Sequence, residues 1–355
     1  MLSKTINNRT SCKAEETIIE LFINISLLCI LVATSIYIAR SRDLLAATML
    51  FSIYGLVSAS FFMNKDAVDV AFTEAAVGAG ISPLLMLATL AIVGRFQKKS
   101  AEIKKPIFAL ILVFITGALL IVGTLDMPAF GAANSPAQQH VAPRYINDSV
   151  AEIGIPNMVT SVLASYRAYD TLGEVVVIFT AGIGVLMLLG LESKKNLQTH
   201  LIDKIIKEDE HKILRIVVKI LIAPILIFAL YVQFHGDFGP GGGFQAGVIF
   251  AAAIILYTLF FGLEVGKKVV NLSSVRFLSA VGVLLYGSVG VVSLLSGKNY
   301  LDYSVLSENP QTAQHIGIVV IELGVGITVA CVMLSVFFAF FEKVGKEMNT
   351  NEEVQ

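Results

Sequence analysis

The stretch that decides the fold is His235-Gly236-Asp237-Phe238-Gly239-Pro240-Gly241-Gly242-Gly243-Phe244-Gln245-Ala246-Gly247. It separates two apolar runs, residues 213–234 and 244–263, each long enough to cross a bilayer. Its six glycines and its proline prevent a stable helix, and lipid cannot pair the N–H and C=O groups of irregular backbone. This glycine-rich segment is therefore either a hairpin turn between two helices or a half-unwound element that lines an ion route.

The composition indicates a membrane protein. Charged residues make up 15 % of the 355 residues and hydrophobic residues 55 %, whereas soluble domains carry about 25 % charged residues. A net charge of −1 gives no case for nucleic-acid binding. The three cysteines form no C-x-x-C pair, and no P-loop or nucleophile motif occurs. We therefore expect no metal centre, no cofactor and no enzymatic chemistry.

The apolar runs predict an all-α polytopic membrane bundle of about nine transmembrane helices. The predicted spans are residues 17–39, 44–63, 69–94, 106–123, 171–190, 213–234, 243–264, 275–296 and 314–341. The distribution of Lys and Arg predicts an outer N-terminus and an inner C-terminus. With this orientation the cytoplasmic segments hold 18 basic residues and the outer segments hold seven.

A charged stretch divides the chain into two membrane modules and is expected to be a cytoplasmic connector. The outer loop at residues 124–170 is the other long stretch outside the predicted spans, and we expect it to cap the bundle. The predicted parts are a polar tail (1–16), a five-span module (17–190), the connector (191–212), a four-span module (213–342) and a second polar tail (343–355).

The glycine-rich segment resembles a signature of the B subunit of Mrp-type multisubunit Na+/H+ antiporters, which membrane-bound hydrogenases share. The matching residues run from His235-Gly236 through Pro240-Gly241-Gly242-Gly243-Phe244, and Tyr231 stands at the family's preceding tyrosine. The resemblance implies that the four-span module corresponds to an MnhB-like B subunit.

Two stretches of the first half resemble the C-terminal modules of the large A subunit of the same antiporters. Residues 66–80 read Asp-Ala-Val-Asp-Val-Ala-Phe-Thr-Glu-Ala-Ala-Val-Gly-Ala-Gly, with Val68 where proline is usual. Residues 157–174 resemble the N-x-V-T and R-G-x-D-T-L-G-E motifs that follow, with Ala168 where glycine is frequent. Because these modules are similar to the MbhD and MbhE hydrogenase subunits, the chain is expected to fuse them to the B-like module.

The resemblance implies a membrane subunit of a Na+/H+ antiporter complex in the inner (cell) membrane of a bacterium. Its partners would be other membrane subunits of the complex, Na+, H+ and the lipid bilayer. Two alternatives stay open: an ion-translocating subunit of a hydrogenase-like respiratory complex, and a structural scaffold whose acids only bond helices together. A self-sufficient transporter is disfavoured, because no internal inverted repeat is evident.

Ionisable residues inside apolar spans are candidates for an ion route, because inserting a charge costs about 2.5–3.5 kcal/mol. Glu74 is predicted about 7–8 Å beyond Asp69 along the third span. Farther along, Pro83 cannot donate to the carbonyl of Ala79, so we expect the helix to kink or open there. A carboxylate near a freed carbonyl predicts a cation or proton site; a glutamate satisfied by a neighbouring helix is the alternative.

Two further spans carry acids at similar depth. Glu174 follows Asp170 by one helical turn, and we interpret Asp170 and Arg167 as a helix cap and its ion-pair partner. Glu322 is predicted about 12 Å into the last span. Lys219 either snorkels to the interface or serves as a fixed charge in a polar axis.

By their depth in the predicted spans, these acids fall in the outer half or at the centre of the bundle, and His235 and Asp237 are expected on the outer side. If their spans are neighbours, they line a hydrated funnel that narrows toward the midplane. The predicted ion route is Asp69, Glu74, Asp170, Glu174, Lys219, His235, Asp237 and Glu322. The predicted structural positions are Pro83, Arg167, Gly236, Pro240, Gly241, Gly242, Gly243 and Phe244.

Overall fold

A computed structural model describes residues 2–97, 106–129, 132–189 and 212–353. The chain is 84 % helical, and its described residues form no strand beyond an isolated bridge between Asp43 and Phe96. Within the described residues, eight helices are long and apolar enough to cross a membrane. The all-α polytopic bundle predicted from the sequence is therefore confirmed.

The first half begins with long membrane helices and continues into a loop of short helical turns. Its α-helices are α1 (Leu2–Arg40), α2 (Leu44–Met63), α3 (Val68–Glu74), α4 (Ser82–Val93), α5 (Pro106–Gly123), α6 (Ala142–Asn147), α7 (Ser149–Ile153), α8 (Met158–Ser161) and α9 (Ala168–Leu189). Three π-helical stretches join them: Ala75–Ile81, Ala137–Val141 and Val162–Tyr166.

The second half is built from four long helices and two short helical elements. They are α10 (Lys212–His235), α11 (Gly243–Phe261), α12 (Leu263–Val269), α13 (Leu272–Leu295), the 3₁₀ turn Tyr303–Val305 and α14 (Pro310–Glu353).

The predicted spans agree to within a few residues with the apolar parts of these helices, and α1 and α14 continue beyond them into the predicted polar tails. The predicted span 106–123 forms α5. Its apolar part, Ile107–Gly123, is shorter than each of the other eight membrane-spanning helices. The connector predicted at 191–212 lies outside the described residues except for Lys212, where α10 begins. The predicted orientation and the division into two modules stay predictions.

The densest packing lies in the second half. In the most apolar stretch of α14, 56 % of the residues are buried, whereas the equivalent stretch of α1 has none. Glycines allow this density, because a side chain at Gly247 would meet the carbonyl of Gly326 and one at Gly282 would meet the carbonyl of Gly324. Helix α14 is thus the central helix, and α11 and α13 pack closely against it.

The third span changes helical type near Pro83, as the sequence predicts. Residues Ala75–Ile81 form a π-helix between α3 and α4. The carbonyl of Ala79, to which Pro83 cannot donate, accepts a hydrogen bond of 3.0 Å from the Ser52 hydroxyl of α2. Gly55 of α2 lies against the backbone of Gly78, so any side chain there would clash. Helix α2 therefore satisfies the free carbonyl and packs against the π-helix.

The loop predicted to cap the bundle is ordered by contacts with the second half. The Ser165 hydroxyl donates to the Gln314 side chain at 2.7 Å, and the Tyr303 hydroxyl donates to the carbonyl of Ala164 at 2.7 Å. The Tyr286 hydroxyl similarly donates to the carbonyl of Ala168 at 2.7 Å. Both tyrosines are fully buried. These bonds fix the start of α9 against α13 and α14.

Candidate functional site

The glycine-rich segment forms a tight connection between two membrane helices. Helix α10 ends at His235 and α11 begins at Gly243. The amide of Gly242 donates back to the carbonyl of Val232 at 3.0 Å. Gly242 has a φ of +103°, a conformation that side chains rarely adopt. The geometry is that of the hairpin turn, and no described part of α10 or α11 is unwound.

The outer loop holds this connection in place. The Asn157 side-chain amide donates to the carbonyls of Gly236 and Gly239, both at 3.0 Å. The Thr160 hydroxyl donates to the Gly236 carbonyl at 2.6 Å, and the backbone N–H of Asn157 donates to the carbonyl of Asp237 at 3.0 Å. Three backbone acceptors of the connection are therefore satisfied by the protein, as a position beside the membrane requires.

The Glu322 carboxylate lies against the inner side of the connection. A Cβ atom at Gly242 would lie 3.0 Å from Glu322 Oε1, and one at Gly236 would lie 3.2 Å from Oε2. A side chain at Gly243 would collide with the backbone carbonyl of Glu322 itself. The glycines thus permit the backbone to approach an acid that sits inside the bundle.

Three acids from distant parts of the sequence line one cavity of about 210 Å³. They are Asp69 at the start of α3, Glu174 in α9 and Glu322 in α14. Its wall also includes Gly241, Gly242, Gly243, Thr73, Thr160, Gln245 and Tyr286. We call this space the acidic cavity. Its existence shows that the three spans are neighbours, which the sequence left undecided.

The acidic cavity has no basic side chain in its described lining. Asp69 accepts a long hydrogen bond of 3.4 Å from the amide of Gly241 and also interacts with the Asn157 side chain. Glu322 accepts no hydrogen bond within the described chain, and it lies close enough to Asp69 and Asp237 to be repelled by both. Uncompensated carboxylates are costly in such surroundings, so protons or bound cations must offset their charge.

Polar neighbours complete the wall on the α3 side. The Gln245 side chain donates to the Thr73 hydroxyl at 2.8 Å. Gln245 is buried at the start of α11, and Thr73 lies one turn after Asp69 on the same face of α3. Their oxygens, together with the carboxylates, are ligand types that suit a hard monovalent cation or a water chain.

Asp237 belongs to a neighbouring outer cluster. It is buried, and its carboxylate contacts His315 Nδ1 at 2.7 Å. Burial raises the pKa of Asp237 above its ordinary value, and the contact with His315 offsets part of that rise.

The remaining predicted ion-route residues do not line the acidic cavity. The Glu74 carboxylate packs beside its own Gly78. Asp170 accepts a hydrogen bond of 2.6 Å from Arg167, as the ion-pair interpretation predicts. The exposed Lys219 ammonium lies 5.3 Å from the centre of the Phe261 ring, a position that fits snorkelling. His235 stacks on Tyr231 with ring centres 4.8 Å apart.

Sequence reasoning missed several polar residues of the site. Thr73, Thr160, Gln245 and Tyr286 line the acidic cavity. Asn157 and Thr160 belong to the N-x-V-T motif, which by itself assigns them no role. The available signal was polarity within otherwise apolar runs, since Gln245 and Tyr286 both stand in predicted spans.

The fold and the acidic cavity define a class, that of multipass membrane proteins with carboxylates at membrane depth, which is typical of ion-translocating proteins. Three family models match successive parts of the chain. The model for a domain related to the MnhB subunit of Na+/H+ antiporter matches residues 213–335. Models for subunits D and E of MBH match residues 29–95 and 113–192.

Individual relatives agree with these models. A putative antiporter subunit mnhB2 of Staphylococcus haemolyticus (strain JCSC1435) is 32 % identical over 135 residues, which cover 36 % of this chain and 92 % of the relative. The Methanocaldococcus jannaschii protein MJ1307 is 30 % identical over 184 residues, 48 % of this chain and 70 % of that protein. The chain therefore belongs to the family of MnhB-type antiporter subunits, as the glycine-rich segment predicts.

The fold also matches a solved structure. A chain of the Mrp complex from Dietzia sp. DQ12-45-1b superposes with a TM-score of 0.67 over 88 % of this chain, at 21 % identity. The match covers 34 % of that chain, so the present chain spans about a third of it. The protein is a multipass membrane protein, as expected for the bacterial cell membrane, and its family is one of transporters rather than enzymes.

Proposed function

We propose that this chain is a membrane subunit of a multisubunit monovalent cation (Na+)/proton antiporter, in which the acidic cavity forms part of the ion route. The observation that carries the proposal is the convergence of Asp69, Glu174 and Glu322 on one cavity without a basic side chain in its described lining. Such a cavity must hold protons or cations to be stable.

The chemistry of exchange follows from that requirement. A carboxylate that binds Na+ must release its proton, and one that binds a proton must release Na+, so the two ions compete for the same oxygens. Glu322 is half-buried, whereas Glu174 is exposed at the surface of the isolated chain. An ion would therefore pass between a more accessible acid and a more enclosed one, driven by the proton gradient.

Large apolar surfaces support assembly with other subunits. Helix α5 leaves nearly all of its side chains exposed, for example Ile107 at 72 % and Phe114 at 71 %. Helix α1 has no buried residue in its most apolar stretch. Such helices require lipid or companion membrane subunits around them, and the relatives are subunits by their names.

The proposal is tested with Glu322→Gln and Glu174→Gln in the assembled complex. Everted vesicles with a pH-sensitive dye report Na+-dependent proton exchange. Glu308→Gln is the matched control, because Glu308 is exposed in the loop before α14. We expect both cavity variants to lose most exchange while the control retains it, with co-purification of the companion subunits unchanged. Full exchange by both cavity variants in an intact complex would instead support the scaffold alternative.

The matches to MBH subunits D and E favour a second candidate, an ion-translocating subunit of a hydrogenase-like respiratory complex. The acidic cavity would serve the same ions there, with electron transfer in other subunits as the driving reaction. The genes beside this one distinguish the two: antiporter subunits alone support the first candidate, and metal-cluster subunits support the second.

A further inference from the structure

A second cavity, of about 240 Å³, lies between α9, α13 and α14, toward the opposite end of these helices from the acidic cavity. The two cavities share no lining residue. Most of the second wall is apolar, from side chains such as Ile183, Met187 and Val332. Its polar groups are Arg276, Ser279 and Ser335. The space is therefore an apolar slot with one cationic side chain.

The guanidinium of Arg276 lacks a partner within the described chain. Its Nε is buried and makes no hydrogen bond there. The described lining contains no carboxylate. The acids of the nearby helix ends are already engaged, because Lys267 contacts Glu342 at 2.8 Å and Glu264 at 4.0 Å. Buried donors are almost always paired in native proteins, so the slot fits a ligand that carries an acceptor, preferably an anionic one.

The mouth of the slot opens on exposed apolar side chains that suit contact with lipid. At the end of α9, Met187 is 74 % exposed and Leu188 is 87 % exposed, and Phe277 beside Arg276 is 69 % exposed. Arg276 stands four residues after the start of α13, hence about 6 Å along the helix. With the predicted orientation this is the cytoplasmic border between the headgroups and the hydrocarbon.

We propose that this slot binds an anionic phospholipid, with its phosphate on Arg276 and an acyl chain along Ile183 and Met187. A guanidinium presents paired N–H donors that fit phosphate oxygens. Basic pockets between membrane helices on the cytoplasmic side are sites for anionic headgroups. The apolar wall and lipid-facing mouth favour a phospholipid over a free phosphate ion, which would bury its charge without using the apolar surface.

The test measures retained lipid on the full chain within its purified complex. Mixed micelles supply either phosphatidylglycerol or phosphatidylcholine, and native mass spectrometry counts the lipids that stay bound. The variant is Arg276→Gln, and Arg276→Lys keeps the charge without the planar fork. Lys268→Gln is the matched control, because Lys268 is an exposed cation on the same predicted membrane face and does not line the slot.

We expect Arg276→Gln to weaken phosphatidylglycerol binding about fivefold, the effect of one basic residue near an anionic lipid. Phosphatidylglycerol binding by Arg276→Lys should be intermediate between that of Arg276→Gln and that of the wild type. Binding by Lys268→Gln should equal that of the wild type. Phosphatidylcholine should bind more weakly than phosphatidylglycerol. Equal binding by Arg276→Gln and the wild type, in complexes with unchanged thermal unfolding, overturns the proposal. Displacement of the lipid by millimolar inorganic phosphate also overturns it, in favour of a soluble anion.

Discussion

Two places in this molecule depart from regular α-helix beside an acid, and they do so differently. In the third span, Glu74 precedes the π-helix Ala75–Ile81, which α2 closes through Ser52. In the second half, the helical structure is interrupted at the glycine-rich segment, and Glu322 of another helix lies against this segment. The first irregularity is satisfied by a hydroxyl of the neighbouring helix, whereas the second becomes the wall of a cavity.

The difference teaches that irregular backbone alone does not make a site. The freed carbonyl of Ala79 is taken by a hydroxyl from a packed neighbour. The connection at Gly236 receives its hydrogen bonds from Asn157 and Thr160, and the Glu322 carboxylate lies beside the same glycine. We therefore expect changes at the connection to affect both stability and transport, and changes at the π-helix mainly to affect stability.

The largest expected effect comes from Gly243→Ala. Its Cβ would meet the carbonyl of Glu322 and the amide of Gly326, which are both backbone groups that cannot rotate away. We expect a loss of about 1–3 kcal/mol in the free energy of unfolding, measured by thermal unfolding in detergent. Gly78→Ala is the control, because its Cβ meets only the flexible Glu74 carboxylate. Equal losses in both variants would remove the distinction between the two regions.

Transport should separate Glu322 from Glu74. Glu322→Gln removes an acid of the acidic cavity, and we expect exchange to fall at least about tenfold, which corresponds to about 1.4 kcal/mol. Glu74→Gln should change exchange by less than about twofold, since Glu74 does not line the cavity. Both are assayed in everted vesicles at matched levels of complex. A stronger loss for Glu74→Gln would show that the ion route runs through the third span instead.

A moderate effect is expected at the π-helix. Ser52→Ala leaves the Ala79 carbonyl without its hydroxyl donor, at a cost of about 1 kcal/mol. Ser60→Ala removes a hydroxyl of the same helix that bonds only to its own backbone, at Leu56, and should cost less. Thermal unfolding of the two variants compares them directly, and exchange activity should stay near normal in both. Indistinguishable melting curves would show that the hydrogen bond from Ser52 to the Ala79 carbonyl does not stabilise the protein.

The smallest expected effect concerns pH at the outer side of the connection. Burial raises the pKa of Asp237, so ionisation of this carboxyl group opposes folding. The contribution of Asp237 to folding stability is therefore favourable at acid pH and is lost as the pH rises through the raised pKa. The difference in unfolding temperature between Asp237→Asn and the wild type should therefore shift in favour of the variant as the pH rises above 3.8, the ordinary value for Asp. A difference that does not change with pH would contradict this assignment.

Helical spacing predicts part of the geometry around Asp69. Asp69 and Thr73 are four residues apart and share a helix face, whereas Glu74 is five residues from Asp69 and points elsewhere. Helical periodicity thus already favoured Thr73 over Glu74 as the neighbour of Asp69. The convergence of Asp69 with Glu174 and Glu322 had no such local signal, because those acids belong to helices far apart in the chain.

The sequence by itself determined the membrane helices, the break at the glycine-rich segment and the family, because hydrophobic length, helix-breaking residues and local motifs depend only on neighbours along the chain. Only the tertiary structure decided which acids share a cavity, which carbonyls the outer loop satisfies, and that Arg276 has no partner in the described chain. Those outcomes depend on how helices pack, and packing is set by close contacts between residues such as Gly243 and Glu322, 79 positions apart in the sequence.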